Sequence, residues 1–198
     1  IGTITEGNCW TGHHMLYSNV SLNRIMKYDP TTGRVDIFKE NTEGINGLNF
    51  DIKGNLYGCA SEGRKIVRLE NNGNMTTIIE RLDGRRINSP NDLAITPTGS
   101  IYFSDRVGDS SPNVGINHSS IISAEPTGDG QYRCFRRTYD TTMPNGLLFS
   151  LDYRNLYVAQ SDFRANEKRE LRSYPVNKDG SLGPYNVLHD FGPHRGID

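Results

Sequence analysis

The stretch INSPNDLAITPTGSIYFSDR, Ile87 to Arg106, has two counterparts in the chain: INGLNFDIKGNLYGCA from Ile45 and PNGLLFSLDYRNLYVAQSD from Pro144. Each opens on Asn followed by Gly or Asp, alternates apolar and polar residues into a tight turn, and closes on Leu-Tyr or Ile-Tyr. A period of two marks a strand with two unlike faces, and the Gly- and Asn-rich break marks a turn. Asn46, Asn91 and Asn145 head the three copies, at steps of 45 and 54 residues. A further step of 53 reaches Asp198 in PHRGID, and a step back of 40 reaches Glu6 in TEGNCW. Repeats of this length with about four strands each are the signature of β-propeller blades.

The rest of the chain agrees. Glycine falls in turn-like groups such as TTGR, IKGN, NNGN, PTGS, GDGQ and KDGS, between short runs of Val, Ile, Leu, Tyr and Phe. KIVRLE-NNG-NMTTII and SIISAE-PTGDG-QYRCFRR read as hairpins. No segment keeps a helical period beyond about ten residues, so the chain reads as all-β, with no helix longer than two turns. The competing architecture is a long β-sandwich in which the Asn-Gly pairs are ordinary turns.

A chain of 198 residues fits one substantial domain. Hydrophobic content is 34%, charge 23% and net charge −1, which gives no broad electrostatic pull toward nucleic acid or membrane. No apolar run approaches the roughly 18 residues of a membrane span. The opening IGTITEG shows neither a basic region nor an apolar core, and the first residue is not Met. The compartment therefore stays open between cytoplasm and export (to the periplasm) with a removed signal peptide. Cys9, Cys59 and Cys134 lack metal-type spacing and read as small hydrophobes. The sequons at Asn19, Asn74 and Asn117 are too common a pattern to indicate secretion.

In a propeller the innermost strand of each blade lines the central channel, so one repeat position points at one axis from every blade. Glu6, Asn46, Asn91, Asn145 and Asp198 are expected to converge there. Their oxygens are hard donors, which suit Ca²⁺ or Mg²⁺ far better than Zn²⁺. Each Asn-Gly alone has the plainer reading of a turn favoured for backbone reasons. Acidic residues in the same register at both ends point to the ring instead.

At these residues the chain resembles the SMP-30/gluconolactonase family of six-bladed propellers. The matching pieces are TEG at Thr5 to Gly7, NRIMKYDPTTGRVDIF from Asn23, NGLNFDIKGNL from Asn46, NSPNDLAITPTGSIYFSD from Asn88, MPNGLLFSLDYRNLYVAQSD from Met143, and PHRGID at the end. They follow the family order along the whole chain, and NSPND is close to the bacterial gluconolactonase-like branch. The resemblance implies a divalent metal held by Glu6, Asn145 and Asp198, with Asn91 contacting metal or substrate. Ca²⁺ is the foremost candidate, with Mg²⁺, Mn²⁺ and Zn²⁺ as the others. Two departures stand out: Asn8 follows TEG where the family usually has Pro, and the chain stops at Asp198 where the family continues with GM and two further blades. About four of six blades are present, leaving sheet edges bare, so the expectation is a single propeller domain over 1–198 cut from a protein of roughly 300 residues.

The implied activity is hydrolysis of a sugar lactone, a small-molecule substrate, by a monomer or weak homodimer with no nucleic-acid or membrane partner. Asp198 or Glu6 is the expected general base, and Asn91, Asn88 and His194 the expected substrate contacts. Asp105 and Asp162 are weaker candidates, equally readable as turn caps. GxSxG is absent, so no serine nucleophile is expected. His13 and His14 read as loop residues, and the long loop Arg106 to Ser120 as a specificity element. The flanks of the asparagines set Asn91, in NSPND, apart as a working residue, whereas Asn46, in INGL, reads as a supporting turn residue. The alternatives are a non-catalytic metal- or ligand-binding propeller and a related esterase acting on organophosphates or other lactones.

Overall fold

The computed structural model describes residues 4–107, 116, 118–162, 164 and 167–192. Within these residues the chain is all-β, and its only helical element is a single 3-10 turn, Val20–Leu22. The first blade holds β1 (Thr5–Trp10), β2 (Met15–Asn19), β3 (Arg24–Tyr28) and β4 (Val35–Glu40). The second holds β5 (Ile45–Phe50), β6 (Leu56–Ala60), β7 (Lys65–Leu69) and β8 (Met75–Ile79). A two-stranded hairpin follows, β9 (Arg81–Leu82) and β10 (Arg85–Arg86). The third blade holds β11 (Pro90–Ile95), β12 (Ile101–Asp105), β13 (Ser120–Pro126) and β14 (Tyr132–Arg136). The fourth holds β15 (Pro144–Phe149), β16 (Asn155–Ser161), β17 (Arg169–Pro175) and β18 (Asn186–Asp190).

Each blade is a four-stranded antiparallel meander in chain order. The innermost strands pack in succession, β1 on β5, β5 on β11 and β11 on β15. Both hairpins expected from sequence are present, as β7–β8 and β13–β14. The hairpin β9–β10 was not expected. Its turn residues Asp83 and Gly84 both take positive φ, 50° and 77°, the type I′ geometry that Asp-Gly favours.

The core explains why this is not a sandwich. It is divided into three clusters, one for each blade-to-blade contact. Leu16 and Ile25 of the first blade meet Ile45, Leu48, Leu56 and Val67 of the second. Tyr57, Cys59 and Ile66 meet Leu93, Phe103 and Ile122 across the next contact. Ala94, Tyr102 and Ile121 meet Leu147, Phe149 and Val158 across the third. Alternation deals successive residues to opposite neighbours: Ile101 and Phe103 face the second blade while Tyr102 faces the fourth. A strand covered on both faces reads as continuously apolar, and β6 and β12 are buried at all five positions.

The end blades differ. The first exposes Trp10, Met15, Val35 and Ile37, and the fourth exposes Leu148, Val187 and Leu188. In the first blade Trp10, Met15 and Val35 lie in one cross-strand row through Tyr28, an exposed apolar face of a kind normally covered by something.

Glycine is required where adjacent blades meet. A Cβ on Gly47 would lie 2.4 Å from Asp92 Oδ1 and 2.6 Å from Asp92 Cα, and one on Gly7 would lie 2.3 Å from the Asn46 carbonyl oxygen. The innermost strands therefore approach at backbone distance. Gly47→Ala is expected to destabilise the fold by about 1–3 kcal/mol through overpacking, read as a shifted urea midpoint with unchanged slope. An unchanged midpoint would show that the third blade can move aside at no cost.

Candidate active site

The motif heads sit in a repeated backbone irregularity. The innermost strand loses register with its neighbour between Glu6 and Cys9, Ile45 and Leu48, Pro90 and Leu93, and Pro144 and Leu147. A β-bulge inserts an unpaired residue and re-aims a side chain. Asn46, Asn91 and Asn145 each lie inside such a bulge, on a strand and not in a turn. Glu6 is still paired with Ser18, and its bulge holds Gly7 and Asn8. Glu6 thus stands one place earlier relative to its bulge than the asparagines do to theirs, which qualifies the common register read from spacing.

Hydroxyl groups on or just after the second strands hold the bulges. Ser18 Oγ donates to the Glu6 carbonyl at 3.0 Å and also to the Asn46 carbonyl of the next blade. Ser61 Oγ donates to the Pro90 carbonyl at 2.5 Å. In the third blade Asp92 replaces the Gly that follows Asn46 and Asn145. Its Oδ2 accepts from the Leu147 backbone N–H at 3.1 Å, tying the third bulge to the fourth. That substitution within the repeat is the sequence signal for Asp92, which spacing alone passes over.

Glu6, Asn46, Asn91 and Asp92 line one cleft of about 510 Å³, walled by Leu48, Leu93, Leu147 and Tyr157. Asn91 is buried, and Glu6 and Asn46 are half-buried. Among the described residues no protein group hydrogen-bonds the side-chain amide of Asn46 or Asn91, although both face a polar opening. Asn145, one residue before the lining residue Gly146, has its Oδ1 engaged by Arg106 Nη1 at 3.2 Å. Among the described residues no three His, Cys, Asp or Glu side chains gather. The lining offers carboxylate and amide oxygens, from Glu6, Asp92, Asn46 and Asn91, which fit a hard cation and not a Cys/His zinc site. Asp198 and His194 lie outside the described residues, as do 108–115 and 117 of the expected specificity loop.

Asn88 takes a different place from the one expected. It is buried, and its backbone N–H and Nδ2 both donate to the Asp105 carboxylate at 2.9 and 3.0 Å. It does not line the cleft. Asn88 and Asp105 instead clamp the segment that delivers Pro90 and Asn91 to the bulge. Asp105 is fully buried, and that burial pushes its carboxyl up to about 7, against the opposing pull of the Asn88 and Ser89 N–H groups and of Arg64 and Arg136. Burial acts the same way on Asp162, but Arg164 and Thr142 outweigh it and hold that carboxyl at about 2. Asp162 is an ion-paired strand end, as Arg164 Nε at 2.9 Å from its Oδ1 shows. His13 and His14 lie in the β1–β2 loop, at the end of the blade remote from Glu6. The three cysteines are free, and burial pushes the thiols of Cys9 and Cys134 up to about 12 and about 11.

The family model described as SMP-30/Gluconolactonase/LRE-like region matches residues 4–198. The chain belongs to this family. A gluconolactonase of Zymomonas mobilis is 27% identical over 208 residues, spanning 94% of this chain and 56% of its own length. The solved gluconolactonase of Xanthomonas campestris superposes with a TM-score of 0.82 at 28% identity, covering 94% of this chain and 63% of that one. A calcium-binding protein, regucalcin from Agrobacterium tumefaciens, shares the fold at a TM-score of 0.68 and 15% identity, over 94% and 59% of the two chains. This SMP-30/gluconolactonase-family chain thus spans a little over half the length of the relatives it matches. Among its described residues no helix is long and apolar enough to cross a membrane.

Proposed function

We propose that this protein hydrolyses a sugar lactone at the cleft between the innermost strands, with a divalent cation held by Glu6, Asn91, Asn145 and Asp198. The observation that carries this reading is the gathering in one cleft of Glu6, just before the first bulge, with the unclaimed amides of Asn46 and Asn91 in the next two. Family membership and gluconolactonase relatives supply the substrate class. Ca²⁺ is the proposed ion, in keeping with hard oxygen donors. When bound, such an ion supplies a Lewis acid for the lactone carbonyl. The Glu6 or Asp198 carboxylate accepts a proton from the attacking water as its oxygen bonds to the carbonyl carbon. The ring C–O bond then breaks, its oxygen takes up the proton, and a hydroxy acid leaves. The Asn91 amide orients a sugar hydroxyl or the carbonyl, and Leu48, Leu93 and Leu147 restrict water on the far side.

The exposed apolar face of the first blade and the exposed Leu148 of the fourth support a ring completed by further blades, giving one six-bladed domain. The test of function is acid release from a panel of aldonolactones with and without Ca²⁺, using the full protein. Tight Ca²⁺ binding without turnover would replace this reading with that of a binding propeller.

Asn91 and Asn46 give a finer test. Asn91→Ala is expected to lower turnover about 100-fold, and Asn46→Ala by no more than about tenfold, because Asn91 is the more enclosed of the two amides. Melting temperatures and lactonase rates of both variants check this. Equal loss of rate would make the two asparagines partners in the same contact.

A further inference from the structure

We propose that Arg106 is a built-in competitor for the cation at Asn145, so that the guanidinium sets how tightly the site takes a divalent ion. The inference rests on the metal-dependent reading above. Arg106 Nη1 donates to Asn145 Oδ1 at 3.2 Å. A Ca²⁺ ion ligated by that same oxygen stands about 2.3–2.6 Å from it, which puts the two cations within about 6 Å of one another. At that distance in a partly enclosed cleft they repel strongly, and little salt enters to screen them.

The backbone cannot relieve this. Arg106 N–H donates to the Ser89 carbonyl at 3.2 Å, and the next residue, Val107, donates to Ser119 Oγ at 2.9 Å. Asp105, just before, is fully buried in its hydrogen bonds with Asn88. The strand end is pinned on both sides, so only the side chain can move. Entry of the ion therefore requires the guanidinium to swing off Asn145, and the work of moving it is subtracted from ion binding. Two cations competing for one amide oxygen make the site weaker and more selective than its donors alone. A singly charged ion gains too little from Asn145 to displace a guanidinium that is already hydrogen-bonded there.

The test is calorimetric titration of the metal-stripped full protein with CaCl₂ at fixed ionic strength, for wild type, Arg106→Lys and Arg106→Gln. Arg106→Gln is expected to lower the Kd for Ca²⁺ about tenfold, with Arg106→Lys between it and wild type. Circular dichroism in EDTA checks that each variant folds; if the Gln variant does not, the Lys variant against wild type decides. Equal affinities, or weaker binding once the guanidinium is gone, would overturn the inference while leaving the metal reading intact. No Ca²⁺ binding by any of the three would overturn both.

Discussion

Glu6→Gln is expected to lower lactone turnover about a thousandfold and to abolish Ca²⁺ binding at millimolar concentration, with little change in melting temperature. The substitution keeps the length and shape of the side chain and removes only its charge. Two carboxylates line the cleft, Glu6 and Asp92, and Asp92 Oδ2 is committed to the Leu147 backbone N–H. Of the two, Glu6 is the carboxylate proposed above as a ligand of the cation. A thousandfold corresponds to about 4 kcal/mol of lost transition-state stabilisation, the scale expected when a preorganised charge is withdrawn from a developing one. Stability should hold because Glu6 is only half-buried, at the start of its strand. Calorimetry with CaCl₂ and initial rates on an aldonolactone check both parts. A variant that binds Ca²⁺ and turns over like wild type would remove Glu6 from the site and leave Asp198 as its only proposed acidic ligand.

The contrast between Glu6 and Asn145 shows how far sequence carried the fold and where it fell short. The blades are legible because each strand must serve two neighbours. A repeat of alternating apolar residues with Gly-rich breaks at steps of 45 and 54 has few other uses. The bulges are not legible. A bulge changes no composition; it is a one-residue slip in pairing, and at Gly7 and Gly47 it stands where the next blade leaves no room for a Cβ. Asn46 therefore reads as a supporting turn residue in sequence and stands on a strand, inside a bulge, in the fold. Glu6 and Asn91, singled out by spacing and family resemblance, line one cleft, and Asn145 stands in the next bulge beside the lining residue Gly146. Asn88 was misplaced: it shares the NSPND segment, but it precedes the bulge and turns inward to Asp105. Arg106 was noticed only as the edge of a loop, since nothing in its flanks shows that its guanidinium reaches a different blade.

Asp105 gives the largest expected effect on stability, and its sign can be worked out. Its carboxyl is fully buried, its oxygens accept from the Asn88 backbone N–H at 2.9 Å, and its folded value is pushed up to about 7 from 3.8. Well below pH 4 it is protonated whether the chain is folded or not, and contributes no pH dependence. As pH rises from about 4 to about 7 the unfolded chain releases this proton while the folded chain keeps it. The folded state is then disfavoured by up to about 1.4 kcal/mol per pH unit, reaching roughly 4 kcal/mol near pH 7 and levelling off above it. The conservative test is Asp105→Asn, whose Oδ1 can still accept from Asn88 and which cannot ionise. Its stability relative to wild type should rise through this window, because wild type alone bears the growing penalty. Urea unfolding of both proteins at pH 4, 5, 6 and 7 measures it. If the two curves ran parallel across the window, the carboxylate would already be charged in the folded state at pH 4, with Arg64 and Arg136 outweighing burial. The clamp that presents Asn91 would then be ionic, and Asp105→Asn would weaken it at every pH alike.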